Sequence, residues 1–276
     1  MTQADGSRGR VLIVSSTADP ASQNISQNLI SHYGFVQDKQ SSSYVKGDVR
    51  LVNIDKICIY AEPSGLPTDF DSIIFASKHV SSTGRPALTV HTTGNLTSRA
   101  DFGGRPSEVS HVDPTMIRKA LRGLRDGVSK AGLDIDVTME ATHHGPTSFP
   151  CPVCFVEVGS GPKEWEDLAL GRIAAGAIMA AATEPPGTQP TAAAFGGTHY
   201  AAKHTRICLG GDYQIGHVVP NHALEEGVPE SVIVDTIQKT TGSCHTAVVD
   251  WKGVGGLERR RLVQSLQGHG YEIIRL

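Results

Sequence analysis

The sequence lacks the long apolar segments that mark membrane-spanning and exported proteins. No run approaches the roughly 20 apolar residues that cross a bilayer, and Met1 to Arg10 is polar, without a signal-peptide core. The net charge is only −3, so the chain has no overall basic field that would attract nucleic acid. We therefore expect a cytoplasmic protein with no membrane or DNA partner, in which local clusters contact any polyanion.

Cysteine is also scarce, and its count is odd. Five cysteines argue against a disulfide framework in a chain of this kind. Cys151 and Cys154 have the spacing of half a zinc ribbon or of a redox pair, but no second paired motif follows them. We expect both to be buried, unreactive cysteines where a strand begins.

The sequence does contain short apolar runs that alternate with capped helical segments. Its apolar content of 39% and charged content of 19% are ordinary for a globular protein, and 276 residues fit one large α/β unit. We predict a disordered tail at residues 1–9 and a single α/β domain at 10–276. The predicted strands include Arg10 to Ser16, Ser72 to Ala76, Ala87 to Val90, Leu133 to Met139, Val153 to Val158 and Thr191 to Phe195, and predicted helices begin at Asp19-Pro20, at Asp113-Pro114 and near Lys163.

The segment Glu140 to Thr147 places a carboxylate and two adjacent imidazoles directly after a predicted strand. Ligands in α/β sheets gather where strands end, so Glu140 and His143 could reach one concave site. Successive side chains on a strand point to opposite faces, but a turn relaxes this restriction. One of His143 and His144 could then bind a metal or substrate while the other orients it. The alternative is that both are polar turn residues bonded to the backbone.

Two further predicted strands end close to a histidine. His79 follows the strand that begins at Ser72, and His91 follows the strand that begins at Ala87. A single histidine at the end of a strand is usually only tolerated there. Three such histidines favour a common site, although the order of the strands in the sheet, and hence their convergence, does not follow from the sequence.

A pair of glycines, Gly196-Gly197, follows another predicted strand. Before a helix start, such glycines would expose backbone donors to an anion or to a developing oxyanion. If the helix includes His199, then His199 and Lys203 share one face. The alternative is a glycine-rich turn with a polar first helical turn. We favour a functional role, because His199, Tyr200 and Lys203 offer proton transfer, a hydrogen bond and a charge.

A row of arginines lies beside the apolar stripe of the helix that begins at Asp113. Arg118, Arg122 and Arg125 could contact phosphates, although a solvated basic face is the more common reason for such a row.

Several motifs occur together in a characteristic order. They are Lys78-His79 before Gly84-Arg85-Pro86, Thr89-Val90-His91 before Gly94-Asn95, Glu140 to Thr147, Phe155 to Ser160, Phe195 to Lys203, and Gly216-His217. From about Arg10 to its C-terminus the chain resembles the D-aminoacyl-tRNA deacylases of archaeal and plant type. The resemblance implies hydrolysis of the ester between a D-amino acid and the terminal ribose of tRNA. It also implies dependence on zinc, with two ions per subunit, and a three-layer α/β/α fold with a mixed, mostly parallel sheet, similar to phosphorylases and peptidyl-tRNA hydrolases.

The resemblance also indicates which residues form the site. His79 and six further polar residues fall within matching motifs. We predict catalytic roles for His91, Glu140, His143, His199 and Lys203. The first four of these are also the expected zinc ligands, while Lys203 or the Gly196-Gly197 backbone would stabilise the oxyanion. Predicted substrate-binding residues are Asn95, His144, Gly196, Gly197, Tyr200 and His217.

The expected partner is the aminoacylated acceptor end of tRNA, contacted by Arg118, Arg122 and Arg125, and the protein is expected to be a monomer. Three alternatives remain open at this point. The chain could be a zinc peptidase or amidase of similar architecture, or a non-catalytic tRNA-binding protein. A deacylase could also work without metal, with a histidine as general base or with assistance from the ribose hydroxyl.

Overall fold

The computed structural model describes residues 9–276, so the tail predicted for residues 1–9 lies almost entirely outside the described residues. The strands are β1 (Val11–Ser16), β2 (Val36–Gln37), β3 (Tyr44–Lys46), β4 (Val49–Ile54), β5 (Ser72–Lys78), β6 (Ala87–His91), β7 (Gly94–Asn95), β8 (Glu108–Val109), β9 (Asp136–Met139), β10 (Val153–Gly159), β11 (Thr191–Phe195), β12 (Gln214–Val219), β13 (Thr246–Val249) and β14 (Glu272–Arg275). The helices are α1 (Pro20–Tyr33), α2 (Pro114–Ala131), α3 (Pro162–Trp165), α4 (Leu168–Thr183), α5 (Ala202–Gly210), α6 (Asn221–Glu226), α7 (Glu230–Gln238) and α8 (Gly256–Gly268).

Two sheets form the framework. The large sheet has the strand order β2-β3-β4-β1-β5-β10-β6-β9, and the small sheet has the order β12-β11-β13-β14. Strands β4, β1, β5 and β10 are mutually parallel, whereas β6 and β9 run parallel to each other and antiparallel to β10. All pairs in the small sheet are parallel. The predicted α/β architecture with a mixed, mostly parallel sheet is therefore confirmed.

The predicted helix starts at Asp19 and Asp113 are confirmed by their capping geometry. Asp19 Oδ1 accepts a hydrogen bond from Ser22 N at 3.1 Å, and Asp113 Oδ1 accepts one from Thr115 N at 2.9 Å. Each aspartate is followed by a proline, whose fixed φ suits the first helical position. The predicted apolar stripe of α2 is buried against the sheets and α4.

The two faces of the large sheet are covered differently. One face packs against α1, α2 and α4 through a core that includes Ile13, Ile74 and Val156. The opposite face bears Phe75 and Phe155 and is covered by loops and short 3-10 turns. Because no long helix fills this second face, it has room for a cavity.

A short segment after β9 joins the two sheets. Ala141 N donates to His199 O, and Thr142 N donates to Val218 O in the small sheet. In return, Ala201 N donates to Met139 O at the end of β9. The segment 140–142 is therefore held from both sides and forms a seam between the sheets.

Three element boundaries differ from the predictions. The helix predicted from Lys163 to Ala182 is two helices, because Asp167 accepts from the backbone at Ala169 and Leu170 and starts α4 anew. The strand predicted from Leu133 begins only at Asp136. The helix expected after Gly196-Gly197 begins at Ala202, so the condition that it includes His199 is not met, and His199 and Lys203 do not share a helix face.

Among residues 9–276, no helix is long and apolar enough to cross a bilayer.

Candidate active site

Six titratable side chains predicted from separate motifs converge with one that was not predicted. His79, His91, Glu140, His143, His144 and His199 meet Glu157, and all but His91 line a cavity of about 500 Å³, here called the histidine cavity. The ring centroids of His143 lie 4.3 Å from those of His91 and His144 and 4.7 Å from that of His199. The expected convergence of distant histidines is therefore present.

Strand direction explains how histidines from opposite strand ends share one cluster. β6 runs antiparallel to β5 and β10, so His91 at the end of β6 pairs with Phe155 near the start of β10. His79 lies at the other end, where its N–H donates to Val158 O. Glu157 lies between them, with its carboxylate 3.6 Å from His79 Nδ1 and 3.7 Å from His91 Nε2. The cluster therefore extends over the face of the sheet and not along one edge.

A left-handed backbone conformation brings both adjacent histidines into the cavity. The φ angle of His144 is +43°, a region that residues other than glycine seldom occupy. This rotation away from strand geometry lets the His143 and His144 rings lie edge to face, 4.3 Å apart, on the same side. Such strain is characteristic of functional segments, because the surrounding structure must hold it in place.

Three imidazoles have one ring nitrogen fixed by the backbone. His91 Nδ1 lies 3.0 Å from Thr92 O, His143 Nδ1 lies 2.7 Å from Ala141 O, and His144 Nδ1 lies 2.6 Å from Gly145 O. Because a carbonyl only accepts, each of these Nδ1 atoms carries a proton, and in a neutral ring the Nε2 lone pair is then free. Burial lowers the pKa of His91, but the neighbouring Glu157 outweighs it and raises that pKa above its usual value. His91 Nε2 is buried and has no hydrogen-bond partner.

Two buried carboxylates complete the cluster. His199 Nε2 donates to Glu140 Oε2 at 3.2 Å, while His143 Nε2 lies 3.5 Å from the same oxygen. Glu140 Oε1 lies 2.9 Å from His79 Nδ1 but without the alignment of a hydrogen bond. Glu140 and Glu157 are 1% and 3% exposed, so both depend on the histidines for compensation.

Burial and neighbouring charges make some titratable groups of the cluster charged near pH 7 and others neutral. Burial lowers the pKa of His79, but Glu140 and Glu157 outweigh it and raise the pKa to about 11. Burial raises the pKa of Glu157, but the nearby imidazoles of His79 and His91 outweigh this and lower it to about 2. Burial likewise opposes ionisation of Glu140, yet His199 and His79 lower its pKa well below the usual value. Both carboxylates are therefore ionised near neutral pH.

The two adjacent histidines, His143 and His144, are the neutral groups. Burial, followed by repulsion from neighbouring histidines, lowers the pKa of His143 well below its usual value and that of His144 to about 4. Their rings are therefore neutral near pH 7 and can donate a lone pair.

Within residues 9–276, three groups have ligand atoms close enough together to hold one metal ion. The members of each group lie within 4.8 Å of one another. The groups are His91, His143 and His144; Glu140, His143 and His199; and His79, Glu140 and Glu157. The four predicted zinc ligands are therefore divided between the first two groups, which share His143.

Tyr200 lies behind the cluster and does not line the histidine cavity. Its hydroxyl is 2.8 Å from His79 Nε2, and its backbone forms a bridge with Glu140. The predicted substrate-binding role of Tyr200 is thus replaced in this structure by a contact that holds His79.

The predicted oxyanion donors lie apart from the histidines and already have partners. Gly196 N donates to Val219 O, and Gly197 N donates to Gly253 O. Lys203 Nζ pairs with Asp250 at 2.5 Å. Gly197 and Lys203 line a separate cleft of about 580 Å³, here called the glycine cleft, which also contains Asp250. The prediction that these groups stabilise an oxyanion is contradicted, because both N–H groups are occupied and the lysine lies outside the histidine cavity.

Two predicted substrate-binding residues, His217 and Asn95, form hydrogen bonds to the surrounding protein. His217 is fully buried, with Nε2 bonded to Ser110 O at 3.0 Å and Nδ1 to Thr142 Oγ1 at 3.1 Å. It cannot reach substrate, which corrects its predicted role. Asn95 lines a shallower neighbouring cavity, but its Nδ2 donates to Gly103 O and to a second carbonyl of the same loop.

The three arginines of the predicted row differ in their contacts. Arg118 Nε donates to Cys208 O at the end of α5, so this side chain satisfies a helix terminus. Arg122 and Arg125 are exposed, and Arg125 lines a cavity of about 410 Å³ together with Arg85. A contact of the two exposed arginines with tRNA stays a prediction, whereas Arg118 is already committed to a structural bond.

Glu157 was not predicted as a site residue, and His79 was noted only within a matching motif. Glu157 interrupts the apolar run from Phe155 to Val158, and a carboxylate in the middle of a buried strand needs a partner. This interruption of the apolar run was the sequence feature that could have identified Glu157 as a site residue. Cys154 lies in the same strand and is buried as predicted, and burial raises the pKa of its thiol. The prediction of a buried Cys151 is wrong, because this residue precedes the strand and is only half-buried.

Comparison with known proteins agrees with the geometry. The profile of the family described as D-aminoacyl-tRNA deacylase matches residues 66–274. A D-aminoacyl-tRNA deacylase of Methanosarcina acetivorans is 34% identical over 96% of this chain and 92% of its own length. Proteins of the same name from Cenarchaeum symbiosum and Methanocaldococcus jannaschii are each 34% identical over 95% of this chain and 98% of their own length.

A crystal structure has the same fold. It is titled as that of a conserved protein of unknown function, is 28% identical, and superposes with a TM-score of 0.87 over 96% of this chain and 95% of its own. The profile match includes every residue of the histidine cavity except Ile57 and Ile59. The resemblance inferred from the motifs is confirmed: the chain belongs to the D-aminoacyl-tRNA deacylase family.

Proposed function

We propose that this protein hydrolyses the ester bond between a D-amino acid and the terminal ribose of tRNA, releasing free tRNA and the D-amino acid. Ester hydrolysis needs an activated water, stabilisation of a tetrahedral oxyanion and a proton for the departing ribose hydroxyl. The observation that carries the proposal is the convergence of neutral and charge-paired imidazoles with two ionised carboxylates in one cavity. Family membership supports the choice of substrate.

Zinc is the proposed cofactor, held by His91, His143 and His144. Three imidazoles are a known zinc ligand set, and metal-bound histidines characteristically donate the other ring N–H to a carbonyl or carboxylate. All three rings do so here, and the buried Nε2 of His91 has no hydrogen-bond partner. When bound, zinc polarises a carbonyl and lowers the pKa of a bound water to about 7.

The choice of ligands leaves Glu140 and His199 free to move protons. An imidazole nitrogen has one lone pair, so His143 cannot use Nε2 in two metal groups at once. His199 Nε2 donates to Glu140, which places the lone pair of the neutral ring on Nδ1. His199 is the proposed general base, and the ionised Glu140 stabilises the imidazolium that forms and orients the ring.

His79 is the proposed positioning residue for both carboxylates. Its raised pKa keeps it protonated between Glu140 and Glu157, whose charges it compensates. The hydrogen bond to Tyr200 fixes the other side of the ring. His79 therefore keeps Glu140 ionised and directed at His199.

The proposed partner is the aminoacylated acceptor end of tRNA, with Arg122 and Arg125 as candidate phosphate contacts. A monomeric enzyme is also part of the proposal. Cytoplasmic action is part of the proposal, since tRNA is aminoacylated there.

One panel of substrates tests the proposal. The purified protein is incubated with D-aminoacyl-tRNA, L-aminoacyl-tRNA and a peptide, each with and without a chelator, followed by zinc. We expect hydrolysis of the D-ester alone, loss of activity with chelator and recovery with zinc. Metal-dependent peptide cleavage would support a zinc peptidase, and tRNA binding without hydrolysis would support a non-catalytic role. Full activity in chelator would refute the zinc component while leaving deacylation intact.

A further inference from the structure

An aromatic ring lies exposed at the mouth of the histidine cavity. The side chain of Phe102 is 63% exposed, although a phenylalanine gains stability from burial. Two other exposed apolar residues, Tyr60 and Val80, lie in the same part of the molecule: Val80 lines the histidine cavity with Phe102, and Tyr60 approaches the neighbouring Gly103. The apolar rim is therefore a local feature of the cavity entrance.

The backbone that carries Phe102 is shaped by two glycines. Gly103 and Gly104 have φ angles of +79° and +73°. A Cβ at Gly103 would lie 2.2 Å from Ile59 O, and one at Gly104 would lie 2.7 Å from Thr147 Cγ2. Because both positions exclude a side chain, this loop packs closely against its neighbours.

Hydrogen bonds fasten the same loop to the candidate active site. Gly145 N, next to His144, donates to Phe102 O at 3.0 Å. Asn95 Nδ2 donates to Gly103 O at 2.8 Å, and Arg105 N donates to Thr147 Oγ1 at 2.9 Å. Phe102 is thus held on a fixed backbone relative to the histidines, and an exposed ring on a fixed backbone can bind a flat group at a small entropic cost.

Two cavities meet at this ring. The histidine cavity and a shallower cavity of about 180 Å³ share four residues, which are Phe102, His143, His144 and His199. An ester that reacts at the histidines extends in two directions from its carbonyl, with the amino acid on one side and the nucleoside on the other. Phe102 therefore lies where one half of the substrate must pass.

The exposed face of Phe102 suits the nucleoside half. The terminal nucleotide of tRNA is always adenosine, whereas the amino acid varies, so a single fixed ring matches the constant half. Single-stranded RNA ends are commonly recognised by stacking of bases on aromatic side chains, which needs a flat open face and no charge. The open side of Phe102 offers this, while the deeper cavity, lined by Ile57 and Ile59, remains for the acyl group.

We propose that Phe102 is a stacking platform for the terminal adenine of the aminoacylated tRNA. The proposal rests on the proposed deacylase function for the identity of the substrate. Stacking of the adenine on Phe102 places the ribose ester against His143 and His199. The amino acid has no part in this placement.

The test compares esters with and without the base. Wild type, Phe102→Ala, Phe102→Trp and the remote control Leu257→Ala are assayed with D-aminoacyl-tRNA, with the D-aminoacyl ester of adenosine and with the methyl ester of the same D-amino acid. For Phe102→Ala we expect the ratio of kcat/KM for the adenosine ester to that for the methyl ester to fall roughly 10-fold. Phe102→Trp should retain the wild-type ratio, and so should Leu257→Ala, because Leu257 is also an exposed apolar residue but lies on α8.

Two outcomes would overturn the proposal. One is an equal loss on the adenosine and methyl esters. The other is a loss in Phe102→Ala that grows from D-alanine to D-tyrosine esters, which would place the amino acid on the ring.

A binding experiment separates this proposal from the proposed function. Calorimetry with the unacylated trinucleotide CCA should give a Kd about 10-fold weaker for Phe102→Ala than for wild type. If wild type hydrolyses none of the esters, the deacylase function fails, yet this binding difference still supports stacking. If both proteins bind CCA equally, the stacking platform is refuted even when hydrolysis is normal.

Discussion

The histidine cavity and the glycine cleft contain similar residue types but differ in how their polar atoms are satisfied. In the glycine cleft, Lys203 is paired with Asp250, and the Gly197 N–H bonds to Gly253 O. Beside the histidine cavity, His91 Nε2 has no hydrogen-bond partner, and within the cavity Glu140 Oε1 lies close to His79 Nδ1 without forming a hydrogen bond. The cleft is the larger of the two, at about 580 Å³ against about 500 Å³. His204 Nδ1 in the glycine cleft is also buried without a partner, so this feature alone does not separate the two regions. The histidine cavity differs in bringing two buried, ionised carboxylates together with several imidazoles, and this cluster of shifted pKa values indicates the reactive site.

The sharpest test of this contrast is the loss of the proposed base. His199→Ala should lower kcat about 1,000-fold, because general base catalysis contributes two to four orders of magnitude. Because His199 bonds the buried Glu140, some loss of thermal stability is also expected, and the variant is assayed well below its Tm. Single-turnover hydrolysis of D-aminoacyl-tRNA measures the loss, with circular dichroism as the check on folding. Retention of more than a tenth of the wild-type rate would remove His199 from catalysis.

The next effect concerns the buried charges. Glu157→Gln should lower the free energy of unfolding by about 3 kcal/mol, because it leaves the protonated His79 with one carboxylate in place of two. Urea denaturation at pH 7 measures the change. Asp69→Asn is the matched control, since that carboxylate is 62% exposed in its pair with Arg10 and should contribute well under 1 kcal/mol. Equal stability of the two variants would show that Glu157 needs no compensation by the histidines.

The buried His217 should make the free energy of unfolding depend on pH. Burial lowers the pKa of His217 to about 3. Between about pH 6.5 and pH 3, this histidine is therefore protonated in the unfolded chain but not in the native protein. Stability is then lost as the pH falls, by about 2 kcal/mol from pH 7 to pH 5 for this one group. His217→Gln should flatten the fall by that amount in urea titrations at the two pH values. Parallel pH profiles for variant and wild type would contradict the buried neutral ring.

The smallest effect is expected in the glycine cleft. Lys203→Met should change kcat/KM less than about 3-fold, because the lysine lies outside the histidine cavity and pairs with Asp250. Steady-state deacylation assays measure this. A 100-fold loss would restore Lys203 to the active site and erase the contrast between the two regions.

Local chemistry made part of this structure predictable from sequence. The caps at Asp19 and Asp113 follow from side chains that bond to residues two or three positions away. The apolar periodicity of α2 gave its buried face in the same way. The convergence of the histidines was also expected, since their motifs follow predicted strands.

Long-range pairing set the features that sequence could not show. His199 is outside α5 because Ala141 N and Ala201 N bond across to His199 O and Met139 O, which holds residues 199–201 extended against the end of β9. The antiparallel direction of β6 placed Glu157 at the centre of the cluster. The N–H groups of Gly196 and Gly197 bond to Val219 O at the end of β12 and to Gly253 O in the turn after β13. None of these partners is a neighbour in sequence.

The seam at residues 140–142 has a consequence for biosynthesis. The nascent chain emerges from the ribosome with Glu140 and His143 long before His199 and strand β12 exist. Until those later parts dock, nothing bonds to Thr142 N or fixes the partner of the Glu140 carboxylate. A nascent chain that ends before His199 therefore lacks the bonded Glu140–His199 pair.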